Sequence, residues 1–286
     1  MTKCLMIYFS LGGTTERVAK SIANGLTSAN CKVDLCNIKD SEVPELKGYE
    51  LLGIGTPVYY YRPTFNVIDT LNSLPDLKGM AYFTFILYGT YRFDTDIIIN
   101  KILSSKNAYQ IGCYHCYGED YFLGYLKRGF LFSPNHPTSQ ELEKAEVFGR
   151  EVISNYKNNL PVKSDDEQKP KVINRIQRFS VSQWLSNNIY SKNLKVNRNK
   201  CNSCGTCIEE CPTENISMDK DDHPVWGSNC ILCLYCALSC PEEAITTPLD
   251  WIIFKPFLDY NVQKALNDPE IENVPIKLNK GQVERA

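Results

Sequence analysis

Histidine is scarce in this chain. His115, His136 and His223 are scattered through 286 residues, so no histidine-rich metal centre or acid–base pair is written into the sequence, and each reads as structural. Long apolar runs are missing too. Nothing approaches the ~18 residues that a membrane helix needs, and the apolar stretch at 251–254 stops at Lys255 and Pro256. No export signal is legible, because residues 1–9 run straight into a strand-like segment. A large charge imbalance is also absent. The formal net charge of −2 points to neither nucleic acid nor a membrane surface, and no base-reading fold or aromatic-interleaved basic patch is present. These absences predict a cytoplasmic protein with no membrane span and no nucleic-acid partner.

What is abundant is cysteine. There are thirteen, and without an export signal they indicate a reducing compartment in which thiolates serve metals. The remaining composition, 43% hydrophobic and 22% charged, is that of an ordinary globular chain, long enough for one large domain or two small ones. Cys201, Cys204, Cys207 and Cys211 read C-x2-C-x2-C-x3-C before Pro212, and Cys230, Cys233, Cys236 and Cys240 repeat that spacing before Pro241. Closely spaced thiolates let a tight loop wrap one face of an iron–sulfur cubane, while the fourth ligand arrives from elsewhere. Zinc is the competing reading, but zinc ribbons use separated CxxC pairs. A disulfide framework fits less well still.

The doubled run resembles the ligand run of bacterial-type two-cluster ferredoxins. The resemblance implies a small α+β ferredoxin-like domain with two [4Fe–4S] clusters, the fourth cysteine of each run crossing over. One cluster would take Cys201, Cys204, Cys207 and Cys240, and the other Cys230, Cys233, Cys236 and Cys211. Each run leads into Pro-x-x-x-Ile, so Ile216 and Ile245 are expected over the clusters, keeping water from sulfur. Clusters of this kind tend to be oxygen-labile, which implies an anaerobic setting.

The first half alternates strand and helix patterns. Residues 3–9 (KCLMIYF) form a continuous apolar run, as in a strand buried on both faces. The helix from about Glu16 carries Val18, Ile22 and Leu26 on one stripe. Strands at 31–36, 50–56, 80–87 and 108–113 alternate with helices at 65–74, 95–104 and 139–156. That order predicts an α/β doubly wound parallel sheet, with its ligand crevice beyond the carboxyl ends of the strands. The loop Ser10-Leu-Gly-Gly-Thr-Thr15 is a candidate anion site: N–H groups at a helix N-terminus face it, and Ser10, Thr14 and Thr15 add hydroxyls.

This loop resembles the phosphate loop of flavodoxins, S/T-x-T-G-N/T-T. Ser10, Gly13 and Thr15 match, Thr14 takes the variable slot, and Gly12 stands where a third hydroxyl is common. The segment GIGTPVYYYRP resembles the flavodoxin-like loop after the third strand, which sets Pro57, Val58, Tyr59 and Tyr60 beside an isoalloxazine ring. LYGTYRFD follows the fourth strand, with Gly89, Thr90, Tyr91 and Arg92 as the third wall. The resemblance implies a flavodoxin-like fold binding FMN, with Arg92 either near the flavin, where it would favour an anionic reduced form, or simply exposed.

As a whole the chain resembles the flavodoxin–ferredoxin fusion proteins of anaerobic bacteria and archaea. What this implies is an electron-transfer iron–sulfur flavoprotein that relays single electrons between an external low-potential carrier protein, two clusters and FMN. Two expectations compete with it: a flavin-dependent reductase of a specific small molecule, and a non-catalytic ferredoxin whose flavodoxin-like domain only binds a partner. No catalytic side chain stands out.

The expected divisions are 1–158 for the flavodoxin-like domain, 159–195 for a linker and basic helix, 196–248 for the ferredoxin domain and 249–286 for a tail, loosely held from 273 on. Residues 172–190 are expected as a helix with Val172, Ile176, Phe179, Trp184, Leu185 and Ile189 on one side, seated on the first domain. No acid falls between Lys171 and Lys200, so this helix would seat an acidic cluster module or steer an acidic partner. Cys113 and Cys116 form a CxxC, which also admits a redox dithiol. The long interruption at 112–137 is expected near the flavin edge, at a domain interface, or on the surface.

Overall fold

Continuous apolar runs build a parallel sheet, and short amphipathic helices cover it. In the computed structural model, which describes residues 1–162, 172–279 and 281–285, β1 (Thr2–Tyr8) leads through the glycine loop into α1 (Thr14–Ser28), β2 (Cys31–Asn37) and β3 (Leu51–Tyr59). A short β4 (Arg62–Pro63), α2 (Phe65–Ser73), β5 (Ala81–Tyr88), α3 (Thr95–Ser104) and β6 (Tyr109–Tyr117) follow. Next come α4 (Leu123–Leu126), β7 (Phe130–Phe132) and α5 (Ser139–Lys157). Sheet order is β2-β1-β3-β5-β6, all parallel, with β4 folded back antiparallel on β3. This is the 2-1-3-4-5 doubly wound order, whose crevice opens at the carboxyl ends beside the switch between β1 and β3.

Alternation along β5 assigns the two faces. Phe83, Phe85 and Leu87 join Val18, Ile22, Leu26 and Val152 in the core beneath α1 and α5. Tyr82 points the other way, where its hydroxyl accepts a hydrogen bond from Asn100 of α3 at 2.9 Å. The helices α1 and α5 touch backbone to backbone: a Cβ on Gly25 would lie 1.9 Å from the carbonyl oxygen of Glu146, and one on Gly149 2.3 Å from that of Ile22. A capping box between Thr138 and Glu141 starts α5.

Two compact units divide the chain: Met1–Glu119 with Asn135–Asn174, and Asp120–Pro134 with Arg175–Ala286. This differs from the expected breaks at 158, 195 and 248. Residues 120–134 leave the first unit because their partners lie in the tail. β7 pairs antiparallel with β12 (Asn273–Asn279), which pairs with β13 (Gln282–Arg285). Ion pairs reinforce the join, Arg128 with Asp259 at 2.7 Å and Lys127 with Asp250 at 2.6 Å. Residues 273–279 and 282–285, expected as a loosely held end, are thus strand.

The helix expected over 172–190 is broken. α6 (Val172–Ser180) stops, Ser182 caps the short α7 (Gln183–Leu185), and a π-turn over Ser186–Tyr190 follows. Ile176, Phe179 and Trp184, expected on a buried stripe, are exposed, while Asn174 and Gln177 turn inward. The side chain of Val172 lies outside the described residues. The rest of the second unit is built from very short pieces: β8 (Lys195–Val196), α8 (Thr206–Glu209), β9 (Ile216–Met218), β10 (Pro224–Trp226), α9 (Tyr235–Leu238) and β11 (Ile245–Thr246), then α10 (Lys255–Leu266).

The α1–α5 contact sets a first prediction. Gly25→Ala forces a methyl into the Glu146 carbonyl and should cost about 1–3 kcal/mol, the usual range for overpacking. A lowered urea midpoint with unchanged slope is the expected readout.

Candidate functional site

Three expected loops meet at the carboxyl ends of β1, β3 and β5, and each has a distinct local cause. In the first, Ser10 is buried and its hydroxyl accepts the N–H of Glu16 at 3.2 Å. Asn37, at the end of β2, locks the loop from the side: its Oδ1 accepts the Ser10 N–H at 3.0 Å and its Nδ2 donates to the Ser10 carbonyl at 3.1 Å. Gly13 caps α1 with φ at 82°, a left-handed conformation that favours glycine. The N–H groups of Gly13, Thr14 and Thr15 precede the Arg17 N–H, which bonds to the Gly13 carbonyl. They belong to the helix end whose donors have no intrahelical partner, which suits an anionic phosphate. A Cβ on Gly12 would meet nothing within 4 Å.

The second loop is a tight hairpin. Val58 pairs with Pro63 and Tyr59 with Arg62, so Tyr60 and Tyr61 form a two-residue turn with φ at 47° and 67°. Such turns usually carry Asn or Gly. Two tyrosines in this conformation store strain of the kind found at ligand clamps. Tyr59 meets Phe9 edge-on at 6.4 Å, and Tyr61 meets Phe93 edge-on at 4.8 Å. Since Phe93 also contacts Tyr91 at 5.7 Å, aromatic rings tie the second loop to the third, where Gly89, Thr90 and Tyr91 lie.

Arg92 neither lies on the surface nor offers a free charge. It is 7% exposed and its Nη1 donates to Asp96 Oδ2 at 3.0 Å. His115 Nε2 approaches the same carboxylate oxygen at 2.5 Å, Cys113 Sγ at 3.0 Å and Arg92 Nη1 at 3.3 Å. All three partners converge on one imidazole nitrogen. With a guanidinium among them, the cluster is an internal ion pair that fixes the base of the third loop. The CxxC reading fails on geometry. Cys113 accepts a hydrogen bond from Thr84 on the α3 side at 2.8 Å, whereas Cys116 belongs to the core under α1 and α5. Residues three apart on a strand face opposite ways. Burial pushes the Cys113 thiol well up, so it is not a reactive thiolate.

Sequence reading missed a fourth wall at the end of β6. The Gly118 N–H donates to the Tyr88 carbonyl at 3.1 Å, and a Cβ there would lie 3.1 Å from Thr14 Cγ2. Tyr117 packs on Tyr88 at 4.8 Å and on His136 at 5.5 Å. A glycine directly after an aromatic strand end was the available signal.

In the second unit the cysteines gather as two crossed sets. Cys201, Cys204, Cys207 and Cys240 line one concavity with Val196, Ala244 and Ile245. Cys211 instead lies close enough to Cys230, Cys233 and Cys236 to raise the pKa of each thiol. The repeat extends to the backbone: Ser203 and Leu232, Gly205 and Leu234, Glu214 and Glu243 are matching left-handed positions. The N–H groups of Asn215 and Ala244 donate to the sulfurs of Cys211 and Cys240 at 3.3 and 3.4 Å. The π-turn preceding the module steadies the second run, with Asn187 Oδ1 accepting the Cys230 N–H at 2.9 Å.

Burial, then neighbouring sulfur, pushes the Cys207 thiol up to about 11. Burial pushes Cys230 to about 11 and Cys236 to about 12, against a smaller downward pull on Cys236 from the Trp226 indole. Thiols that oppose one another's ionisation are relieved by a bound cation, and such binding releases their protons. The donor set therefore fits iron–sulfur clusters.

Residues 5–118 match the family model described as a flavodoxin domain, and residues 200–245 match a 4Fe-4S dicluster domain. The chain is a flavodoxin domain fused to a 4Fe–4S ferredoxin domain. Its two domains make it an iron–sulfur flavoprotein of the electron-transfer kind. Among solved structures, a flavodoxin from the domain Archaea is 20% identical, covering 55% of this chain and 99% of its own, with a TM-score of 0.42. Flavodoxin 1 from Bacillus cereus is 22% identical over 54% of this chain and 98% of its own, also at 0.42. The flavodiiron protein from Giardia intestinalis is 20% identical over 56% of this chain and 38% of its own, again at 0.42. No curated protein matches the chain. Among the described residues no helix is long and apolar enough to cross a membrane.

The Arg92–Asp96 pair yields a second prediction. Asp96→Ala leaves a buried guanidinium uncompensated and should cost about 3–5 kcal/mol, read as a fall in the unfolding midpoint of the apoprotein.

Proposed function

We propose that the protein relays electrons one at a time between an external low-potential carrier protein, two [4Fe–4S] clusters and FMN. The observation that carries this reading is the crossing of the cysteine sets, Cys240 with the first run and Cys211 with the second. One cluster is held by Cys201, Cys204, Cys207 and Cys240, the other by Cys230, Cys233, Cys236 and Cys211. FMN sits with its phosphate at Ser10, Gly12, Gly13, Thr14 and Thr15. Its ring would be flanked by Pro57, Val58, Tyr59 and Tyr60 and by Gly89, Thr90 and Tyr91, with Arg92 anchoring the third loop from beneath through Asp96.

When bound, the clusters supply single-electron steps and the flavin a two-electron store. The chain's own residues do the rest. The N-terminal end of α1 neutralises the phosphate. Strained tyrosines and the Arg92–Asp96 anchor fix the ring walls, and Ile216 and Ile245 keep water from sulfur. Of the long 112–137 segment, expected near the flavin edge, at a domain interface or on the surface, residues 120–134 belong to the second unit and the rest to the first, and no observation favours the small-molecule reductase reading. The cellular setting that fits is cytoplasmic and anaerobic.

Anaerobic reconstitution followed by iron, sulfide and FMN analysis per chain tests the reading. A protein that takes up both clusters but is never titrated by FMN would sink the flavin half. Cys240→Ala should remove the cluster on the first run while Cys211→Ala removes the other, each leaving one EPR signal; loss confined to the mutated run's own partners would refute the crossing. Gly12→Thr places a hydroxyl in open space beside the phosphate and should tighten FMN binding severalfold, one added hydrogen bond to a charged group being worth about 1.5–3 kcal/mol before ordering costs. Fluorescence titration reads it.

A further inference from the structure

The two halves of the ferredoxin segment can be compared position by position. Over the first cysteine set, Ile245 pairs with Val196 across β8 and β11, and both line the concavity. In the matching hairpin of the other half, Ile216 pairs with Trp226 across β9 and β10. Directly opposed residues of an antiparallel pair share a face, so Trp226 stands where Val196 stands. The substitution brings one chemical novelty, an indole N–H.

That N–H is buried and has no hydrogen-bond partner among the described residues. The indole lies beside Cys236, which shares its surroundings with Cys230 and Cys211. A buried donor left unmade costs about 1–3 kcal/mol, and buried tryptophan normally finds an acceptor for its N–H. The group it faces is the Cys236 sulfur, whose ionisation it favours, and with a cluster bound that sulfur would be one of the cluster's own.

We propose that the Trp226 indole N–H donates a hydrogen bond to a sulfur of the cluster held by Cys230, Cys233, Cys236 and Cys211, raising that cluster's reduction potential. The inference rests on the two-cluster reading above. A cluster gains one negative charge with each electron taken from an external reductant, and a donor aimed at sulfur favours the more negative state. Val196 offers the other cluster no such donor. At this pair of matching positions the two cysteine sets are thereby made unequal.

Trp226→Phe keeps a ring in place and removes the donor. In an EPR-monitored titration of the reconstituted full chain with dithionite, one midpoint should move negative by roughly tenfold in the reduction equilibrium, about 59 mV for a one-electron couple. The other midpoint should stay put. A second readout uses the unaltered protein: NMR of its reduced form should show one indole N–H resonance displaced far from its ordinary position by the paramagnetic cluster. This readout decides the matter even if the variant fails to fold or loses a cluster. Two unmoved midpoints, with iron and sulfide matching the unaltered protein, would overturn the inference. So would ordinary positions for every indole N–H in the reduced, cluster-loaded chain. If the unaltered chain takes up no second cluster, the two-cluster reading falls first and the inference with it.

Discussion

Sulfur governs the second unit. Its cysteine-bearing segment is made of strands of two or three residues and helices of four, far below the length at which such pieces hold together on their own. Burial and neighbouring sulfur push several of these thiols up, so metal binding there would have to displace their protons. The backbone has prepared for it: matching left-handed residues recur in both halves, among them Leu232 and Leu234, where no glycine relieves the conformation. In small metal-bound domains of this sort the binding energy is folding energy.

The first unit works by the opposite logic. Its core is large and closed, with α1 and α5 in backbone contact. What it spends is local strain at one rim. Tyr60, Tyr61 and Phe93 all have positive φ, and their rings join across two loops. Arg92 reaches away from the rim to Asp96 and His115, pinning the loop from beneath. The crevice is therefore shaped by groups that do not themselves offer charge to a ligand, and the N-terminal end of α1 remains its chief electrostatic feature.

Much of this was legible from residue order. The continuous apolar runs and the 3.6-residue stripes located the sheet and its helices, because both patterns are local. The cysteine spacing was equally plain, and the structure brings the expected residues together. What local patterns could not carry was pairing between distant segments. Phe130–Phe132 has three residues and no turn signal naming its partner, so its ladder with Asn273–Asn279 was invisible, and the segment read as a loop. The helix over 172–190 broke because Ser182 offers a cap just after β-branched Val181, a local competition that the apolar count overrode. Strand β6 ran four residues further than expected, which moved Cys113 and Cys116 to opposite faces. The inward turn of Arg92 depended on Asp96 and His115 meeting from separate elements.

The β7–β12 ladder has a consequence for how the protein is made. Residues 120–134 leave the ribosome long before their partner strand does, so an unpaired apolar edge, Phe130-Leu131-Phe132, waits through the synthesis of all the cluster loops. Exposed strand edges of this kind invite association with other chains. The same threading means that the two functional halves are not two separable stretches of gene. A cut in the polar segment near 160 would divide the sequence neatly and still leave part of the second unit attached to the first.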